Sequence, residues 1–206
     1  MKSLWRRFLL WFTGTKIYYN LVMKIIPYIR FTTYYTSMRG KVFHKAYRVL
    51  RPGQIILAID KKKLTTLLVP GEFTHAAFCV SKNKDWEVSE MTHHDYTKST
   101  FADICFESDR VVILECEDFD ELYKKEMIEK CKSFEGTRYD VRFQIGVDQL
   151  ACSELVYESD FERRLDVSLE DLAGLGTPYI SPTGLYRAKN CKVIYDTEWE
   201  KIITLK

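Results

Sequence analysis

The chain has 206 residues, of which 46% are apolar and 14% aromatic; this suffices for one packed domain with an appended element and excludes a disordered polypeptide. A formal net charge of +2 conceals a split: residues 1–63 carry 14 Lys or Arg against one acid, Asp60, and the remainder carries 17 against 28. Such asymmetry marks a basic arm with an anionic partner.

The N-terminal apolar run Phe8–Phe12 is short, aromatic and without a small-residue cleavage site, so no signal peptide is expected. No stretch reaches the roughly 20 apolar residues that span a bilayer. Six cysteines, at 79, 105, 116, 131, 152 and 191, show no C-x-x-C pair and no repeated spacing. They predict a reduced, cytoplasmic setting with no disulfide framework.

The first 50 residues read as helical. In 16–29, Ile17, Leu21, Val22, Ile25 and Ile26 recur at helical spacing until Pro27 disturbs the end. Arg51–Pro52–Gly53 is a turn, Gln54–Ile59 an apolar strand, and Lys61–Lys63 caps it in solvent. Pro70–Gly71 turns into a strand over Phe73–Val80. A loop at Asn83–Asp85 and a strand over Trp86–Met91 follow, then a strand over Arg110–Cys116. From Asp118 the period becomes helical, with Leu122, Ile128, Cys131 and Phe134 on one face and Gly136 as the stop. A loop over Thr137–Asp148 leads to a helix over Gln149–Ser159. Turns at Thr177–Pro178 and Ser181–Pro182 precede a last strand, Lys192–Tyr195. This order predicts an α+β fold.

Four histidines limit the choice of a base. His75 lies on a small-residue strand after the Pro–Gly turn, where Ala76 and Ala77 leave room for another element; a core-edge histidine satisfied by a carbonyl is the alternative. His93 and His94 belong to a polar loop with no third ligand at metal spacing, and His44 to the basic arm; all three read as solvated. Cys152 falls near a helix start with small neighbours, where unpaired N–H groups favour a thiolate and can bind an oxyanion. Its alternative is a buried helical cysteine. Cys79, Cys105, Cys116 and Cys131 lie within apolar patterns and read as core. Alternation along Trp86–Met91 puts Glu90 on a face with Trp86 and Val88, a costly place for a carboxylate without a partner. Glu87, on the opposite face, is its rival.

Together these pieces form a pattern. Pro70–Gly–x–Phe–Thr–His75–Ala, Val–Ser–Glu90, Tyr139–Asp140 and Ala–Cys152–Ser–Glu–Leu–Val156 follow one another in that order. They resemble the circularly permuted papain-like hydrolases, the YiiX-like branch of the NlpC-type superfamily, which has bacterial, phage and poxviral members. The resemblance takes in Leu50–Arg–Pro–Gly53–Gln–Ile–Ile and Ile180–Ser–Pro–Thr–Gly–Leu–Tyr186 and covers about residues 48–195. It implies a permuted papain-like fold, an antiparallel sheet packed on helices, over 48–206, with residues 1–47 as a basic helical extension. It implies Cys152 as nucleophile, His75 as base, Glu90 as the residue orienting the imidazole, and Tyr139 beside the oxyanion, with neither metal nor cofactor. Gln54 departs from the usual aspartate, which should weaken a turn contact.

A thiol hydrolase acting on an amide, ester or thioester bond through an acyl-enzyme is therefore expected, its substrate a peptide or an acylated, lipid-like molecule. A second reading retains the fold without turnover, as a structural or virion component or a membrane-associated binding module. In the arm, Trp5, Phe8, Trp11, Phe12, Tyr18, Tyr19 and Tyr28 alternate with cations. That mixture suits peripheral attachment to an anionic membrane surface. Nucleic acid is a weaker fit, and docking on the chain's own acidic body is the third option.

Overall fold

The computed structural model of the chain describes residues 2–29, 38–61, 63, 66, 69, 71–146, 148–171 and 177–199. Lys62, Pro70 and residues 30–37 of the expected helical region lie outside these. The chain opens with helices α1 (Lys2–Thr13) and α2 (Lys16–Lys24) and a 3₁₀ turn, η1 (Ile26–Tyr28). Thr15 caps α2 by accepting the Tyr18 N–H. Pro27 falls in the first turn of η1, where a missing N–H costs nothing. Helix α3 (Lys41–Val49) follows.

Six strands form one antiparallel sheet: β1 (Ile55–Ile59), β2 (His75–Lys82), β3 (Trp86–Thr92), β4 (Asp95–Thr100), β5 (Arg110–Cys116) and, from the end of the chain, β10 (Cys191–Asp196). Their order across the sheet is β10-β5-β1-β2-β3-β4. Helix α4 (Phe101–Glu107) joins β4 to β5, and α5 (Glu121–Lys132) follows β5. Then come β6 (Arg138–Tyr139), β7 (Gln149–Leu150), α6 (Cys152–Ser159), the two-residue strands β8 (Glu170–Asp171) and β9 (Pro178–Tyr179), and α7 (Pro182–Tyr186). The fold is α+β, an antiparallel sheet packed on helices.

The sheet is buried on both faces, which is why β1 reads as an unbroken apolar run. Ile55 and Leu57 join one core with Phe78, Val112 and Leu114, closed by Tyr123 and Met127 of α5 and Leu155 and Val156 of α6. Ile56 and Ala58 point the other way, into a second core with Ala77, Val88, Ile113, Ala46 of α3 and Phe101 and Ile104 of α4. Helix α3 thus belongs by its packing to the body of the protein, although its first residues fall in the predicted extension.

Several expectations need correction. Neither β4 nor α4 is visible as a periodic apolar pattern. Strand β4 (Asp–Tyr–Thr–Lys–Ser–Thr) is a polar edge strand, and α4 is set by a capping box in which Thr100 and Asp103 exchange bonds to each other's backbone N–H. Helix α6 begins at Cys152, and Gln149–Leu150 is instead a short strand pairing in parallel with β6. In α5 the inward face holds Tyr123, Met127, Ile128 and Cys131, whereas Leu122 is 67% exposed, because at 100° per residue it falls on the side of the helix opposite Cys131. Lys63 does not stand free in solvent; it pairs with Glu107 of α4.

The cysteines bring one more correction. Cys116 and Cys191, 75 residues apart, form a disulfide between neighbouring strands β5 and β10. The sequence conceals it because the two strands meet only through the sheet order.

Candidate active site

The site begins at the turn before β2. Gly71 adopts φ +126°, and a Cβ there would lie 2.2 Å from Thr183 Oγ1, so glycine alone fits. The same Thr183 oxygen accepts the Phe73 N–H at 3.0 Å. One turn away on the closing segment, the Ile180 carbonyl accepts the Ser153 hydroxyl at 2.6 Å. Residues 180–183 therefore tie together the entry to the His75 strand and the first turn of the Cys152 helix. Upstream, Gln54 preserves the turn contact that was expected to weaken: its carbonyl oxygen accepts the Arg51 N–H at 2.8 Å, and its amide donates to Glu115.

Register then sets the imidazole and the carboxylate. His75 and Ala77 alternate onto one face of β2, and Ala77 lies opposite Glu90 on β3. Glu90 is thus the diagonal neighbour of His75, within reach of a long side chain. Its Oε2 lies 2.5 Å from His75 Nε2, and its other oxygen accepts the Ser99 hydroxyl from β4. Glu87, the rival, is occupied elsewhere, accepting from Ser81 Oγ at 2.9 Å and Asn83 Nδ2 at 3.3 Å.

The thiol comes from the opposite core. Cys152 is the first residue of α6 and 3% exposed. Its sulfur lies near enough to the His75 ring to favour the charged imidazole. Burial disfavours charge on the ring, but Cys152 and Glu90 outweigh it and raise the imidazolium to about 10. Burial acts against the Glu90 carboxylate too, and the His75 bond and charge, with Ser99, bring it below its ordinary range.

Tyr139 is brought beside this pair. The β6–β7 pairing sets it against Leu150, two residues before Cys152. Its N–H donates to Asp95 at 2.9 Å, from a residue at φ +68°, a conformation aspartate tolerates. Burial, then the negative charge of a Cys152 thiolate, holds the phenol well above its ordinary value, so it stays a proton donor.

One residue escaped the sequence reading. Glu154 is 1% exposed; one oxygen accepts the Ala151 N–H at 2.7 Å, and the other is buried without a partner. Burial, with Asp140 and Glu158 nearby, pushes it up to about 8. The signal was present: a glutamate three residues after the helix cap reaches back to the cap's N–H.

A cleft of about 370 Å³ opens at the His75–Glu90 end. Its walls include Tyr139, Met91, Ser99 and Ile104, and residues Val22, Met23 and Pro27 of the N-terminal arm. His93 and His94 line it as well; His94 and His44 are exposed, as expected, whereas His93 is part-buried, its ring edge-on to Tyr28. The arm contacts the body through apolar packing, with Val22, Met23 and Ile26 against Val141 and Tyr139, and the Tyr18 hydroxyl donates to the Val141 carbonyl at 3.3 Å.

Burial pushes Cys79 up to about 12 and Cys131 to about 11, raises Cys105 further, and Cys116 and Cys191 are joined. A thiol at a helix start, an imidazole that precedes it in the chain, and a two-faced antiparallel sheet belong together in one class, the cysteine hydrolases of permuted papain-like fold. Residues 49–202 match the permuted papain-like amidase enzymes of the YaeF/YiiX, C92 family, and the chain belongs to that family.

Among solved structures it resembles the protein yiiX of Escherichia coli O157:H7, at 16% identity and a TM-score of 0.61, over 70% of this chain and 96% of that one. That structure is described as a metalloprotein. Among the described residues of this chain no group of three or more His, Cys, Asp or Glu is placed to hold an ion. No curated protein matches the sequence.

Proposed function

We propose that Cys152 is the nucleophile, His75 its proton partner and Glu90 the group that orients and charges the imidazole, in the hydrolysis of an amide, ester or thioester bond. The single observation that carries the reading is the hydrogen-bonded chain His75–Glu90–Ser99, with Cys152 at the start of α6 close enough to bear on the imidazole. In the reaction the Cys152 proton passes to His75, whose ring, raised to about 10, is suited to hold it as imidazolium while the sulfur attacks.

The thiolate attacks the carbonyl carbon and the oxygen becomes an oxyanion. The first N–H groups of α6 have no partner inside the helix and accept that charge, together with the Tyr139 hydroxyl. His75 gives its proton to the leaving nitrogen, oxygen or sulfur as the tetrahedral centre collapses to an acyl-enzyme. Water, deprotonated by His75, releases the acid and restores the thiol. Glu90 fixes the tautomer throughout, in the manner of the third member of a triad on another fold.

Val22, Met23, Met91 and Ile104 give the cleft an apolar side that suits the acyl part of an acylated or lipid-like substrate, while Asp60, Lys63, Asp103 and Glu107 line the rest of it. Turnover of a panel of acyl amides, esters and thioesters tests the reading. Cys152→Ala should abolish turnover on whichever substrates the wild type cleaves; normal turnover in that variant overturns the assignment. A wild type inert on the whole panel and toward thiol-directed acylating probes would instead support the non-catalytic binding module.

A further inference from the structure

The N-terminal arm carries features the hydrolytic chemistry does not use. Eight of the fourteen exposed large apolar side chains among the described residues fall within residues 5–29. Trp5 is 63% exposed, Trp11 66%, Ile17 72% and Tyr28 65%. A single domain rarely leaves so much apolar surface in one short segment without a use for it.

Helix α1 has a two-sided design. At 100° per residue, Trp5, Phe8, Leu9, Trp11 and Phe12 occupy one arc, and Arg6, Arg7 and Thr13 share the other with Leu10. The aromatics form a ladder, Trp5 on Phe8 at 5.8 Å between ring centroids and Phe8 on Trp11 at 5.9 Å. Between residues 2 and 29 there are five cations, at 2, 6, 7, 16 and 24, and no acid. An apolar, Trp-bearing face flanked by Lys and Arg suits the interface of an anionic bilayer, where the rings enter the headgroup boundary and the cations meet phosphate.

The arm is also part of the active site. The same segment supplies Val22, Met23 and Pro27 to the cleft that holds His75 and Glu90. It packs on Tyr139, the phenol whose proton is held in part by Cys152. Surface docking and cleft roof are thus one continuous stretch of chain.

We infer that residues 2–29 dock the enzyme on an anionic lipid surface and that its substrate is an amphiphile resident in that surface, entering the cleft beneath α2 and η1. The substrate half of this inference rests on the hydrolase reading; the docking half does not. A nucleic acid would also answer the charge, but phosphodiester recognition gives no reason for the exposed aliphatic Ile17, Ile25 and Ile29.

Flotation of the full chain with phosphatidylglycerol–phosphatidylcholine vesicles, against phosphatidylcholine alone, tests the docking. The expected result is binding to the anionic vesicles, with a blue shift of Trp5 and Trp11 emission. Trp5→Ala with Trp11→Ala should weaken binding about tenfold or more, as should Arg6→Glu with Arg7→Glu, the second effect fading as salt rises. Unchanged thermal unfolding of these variants shows that the fold is intact. No binding to anionic vesicles, undiminished binding in both double variants, or tighter binding to a single-stranded oligonucleotide than to vesicles overturns the proposal. Cys152→Ala should float like wild type, so failure of the docking is distinguishable from failure of the chemistry.

Discussion

At the scale of single residues, the proposed site rests on an imidazole paired with a carboxylate, His75 with Glu90. His75 is 26% exposed at its side chain and Glu90 9%, so their bond is little screened by water. Glu90→Gln should lower turnover by about 10²–10⁴-fold while the chain still folds, measured as kcat/KM beside thermal unfolding. The pH profile gives the sign. As the general acid, imidazolium is lost when pH rises through about 10, so the wild-type rate should fall there. Removing the Glu90 charge should move that alkaline limb to lower pH; a limb that stays in place contradicts the role. Tyr139→Phe should cost about 10²–10³-fold in kcat if its hydroxyl meets the oxyanion, with little change in KM. A silent substitution removes it from the mechanism.

At the scale of elements, the site depends on the closing segment that bridges β2 and α6. Gly71→Ala puts a Cβ against Thr183 and forces a side chain into φ +126°, so it should destabilise by about 1–3 kcal/mol, read as a lower midpoint in denaturant. Gly136→Ala, at φ +89° but with open space around its Cβ, should cost less. Equal effects would show that backbone conformation, not the Thr183 contact, sets the cost at Gly71. Elements were also where sequence reading succeeded and failed for physical reasons. Strands β1, β2, β3 and β5 are apolar enough to announce themselves, and Cys152 and His75 stand out beside small neighbours. The polar edge strand β4 has no alternation to read, yet it supplies Ser99 to Glu90 and Asp95 to Tyr139. The Glu90-or-Glu87 choice needed register, which a lone strand does not carry, and the Cys116–Cys191 pair needed the order of the whole sheet.

At the scale of the whole molecule, buried titratable groups make stability depend on pH in opposed directions. His75 is raised from 6.5 to about 10, so its contribution is complete below 6.5 and lost as pH rises through about 10. Glu90 is lowered, so its contribution is present above 4.5 and lost as pH falls through its folded value. Glu154 is raised from 4.5 to about 8 and therefore destabilises as pH climbs between those values. Glu154→Gln, whose carbonyl oxygen can still accept the Ala151 N–H, should flatten the decline of Tm between pH 4.5 and 8, each kcal/mol recovered raising Tm by about 2–4 °C. An unchanged slope would show that Glu154 is not the group responsible. The whole-chain charge split was legible from composition, but the choice among membrane, nucleic acid and the chain's own body was not; in the structure the arm meets the body in part through the apolar packing of Val22, Met23 and Ile26.

The central claim is that Cys152 is the reactive thiol and His75 its proton partner. Stoichiometric alkylation of the native protein with iodoacetamide, followed by peptide mapping across all six cysteines, tests it most directly. The account predicts modification at Cys152 alone, absent in Cys152→Ala and much slowed in His75→Ala. Labelling that persists in Cys152→Ala, or that falls first on Cys79, Cys105 or Cys131, contradicts it.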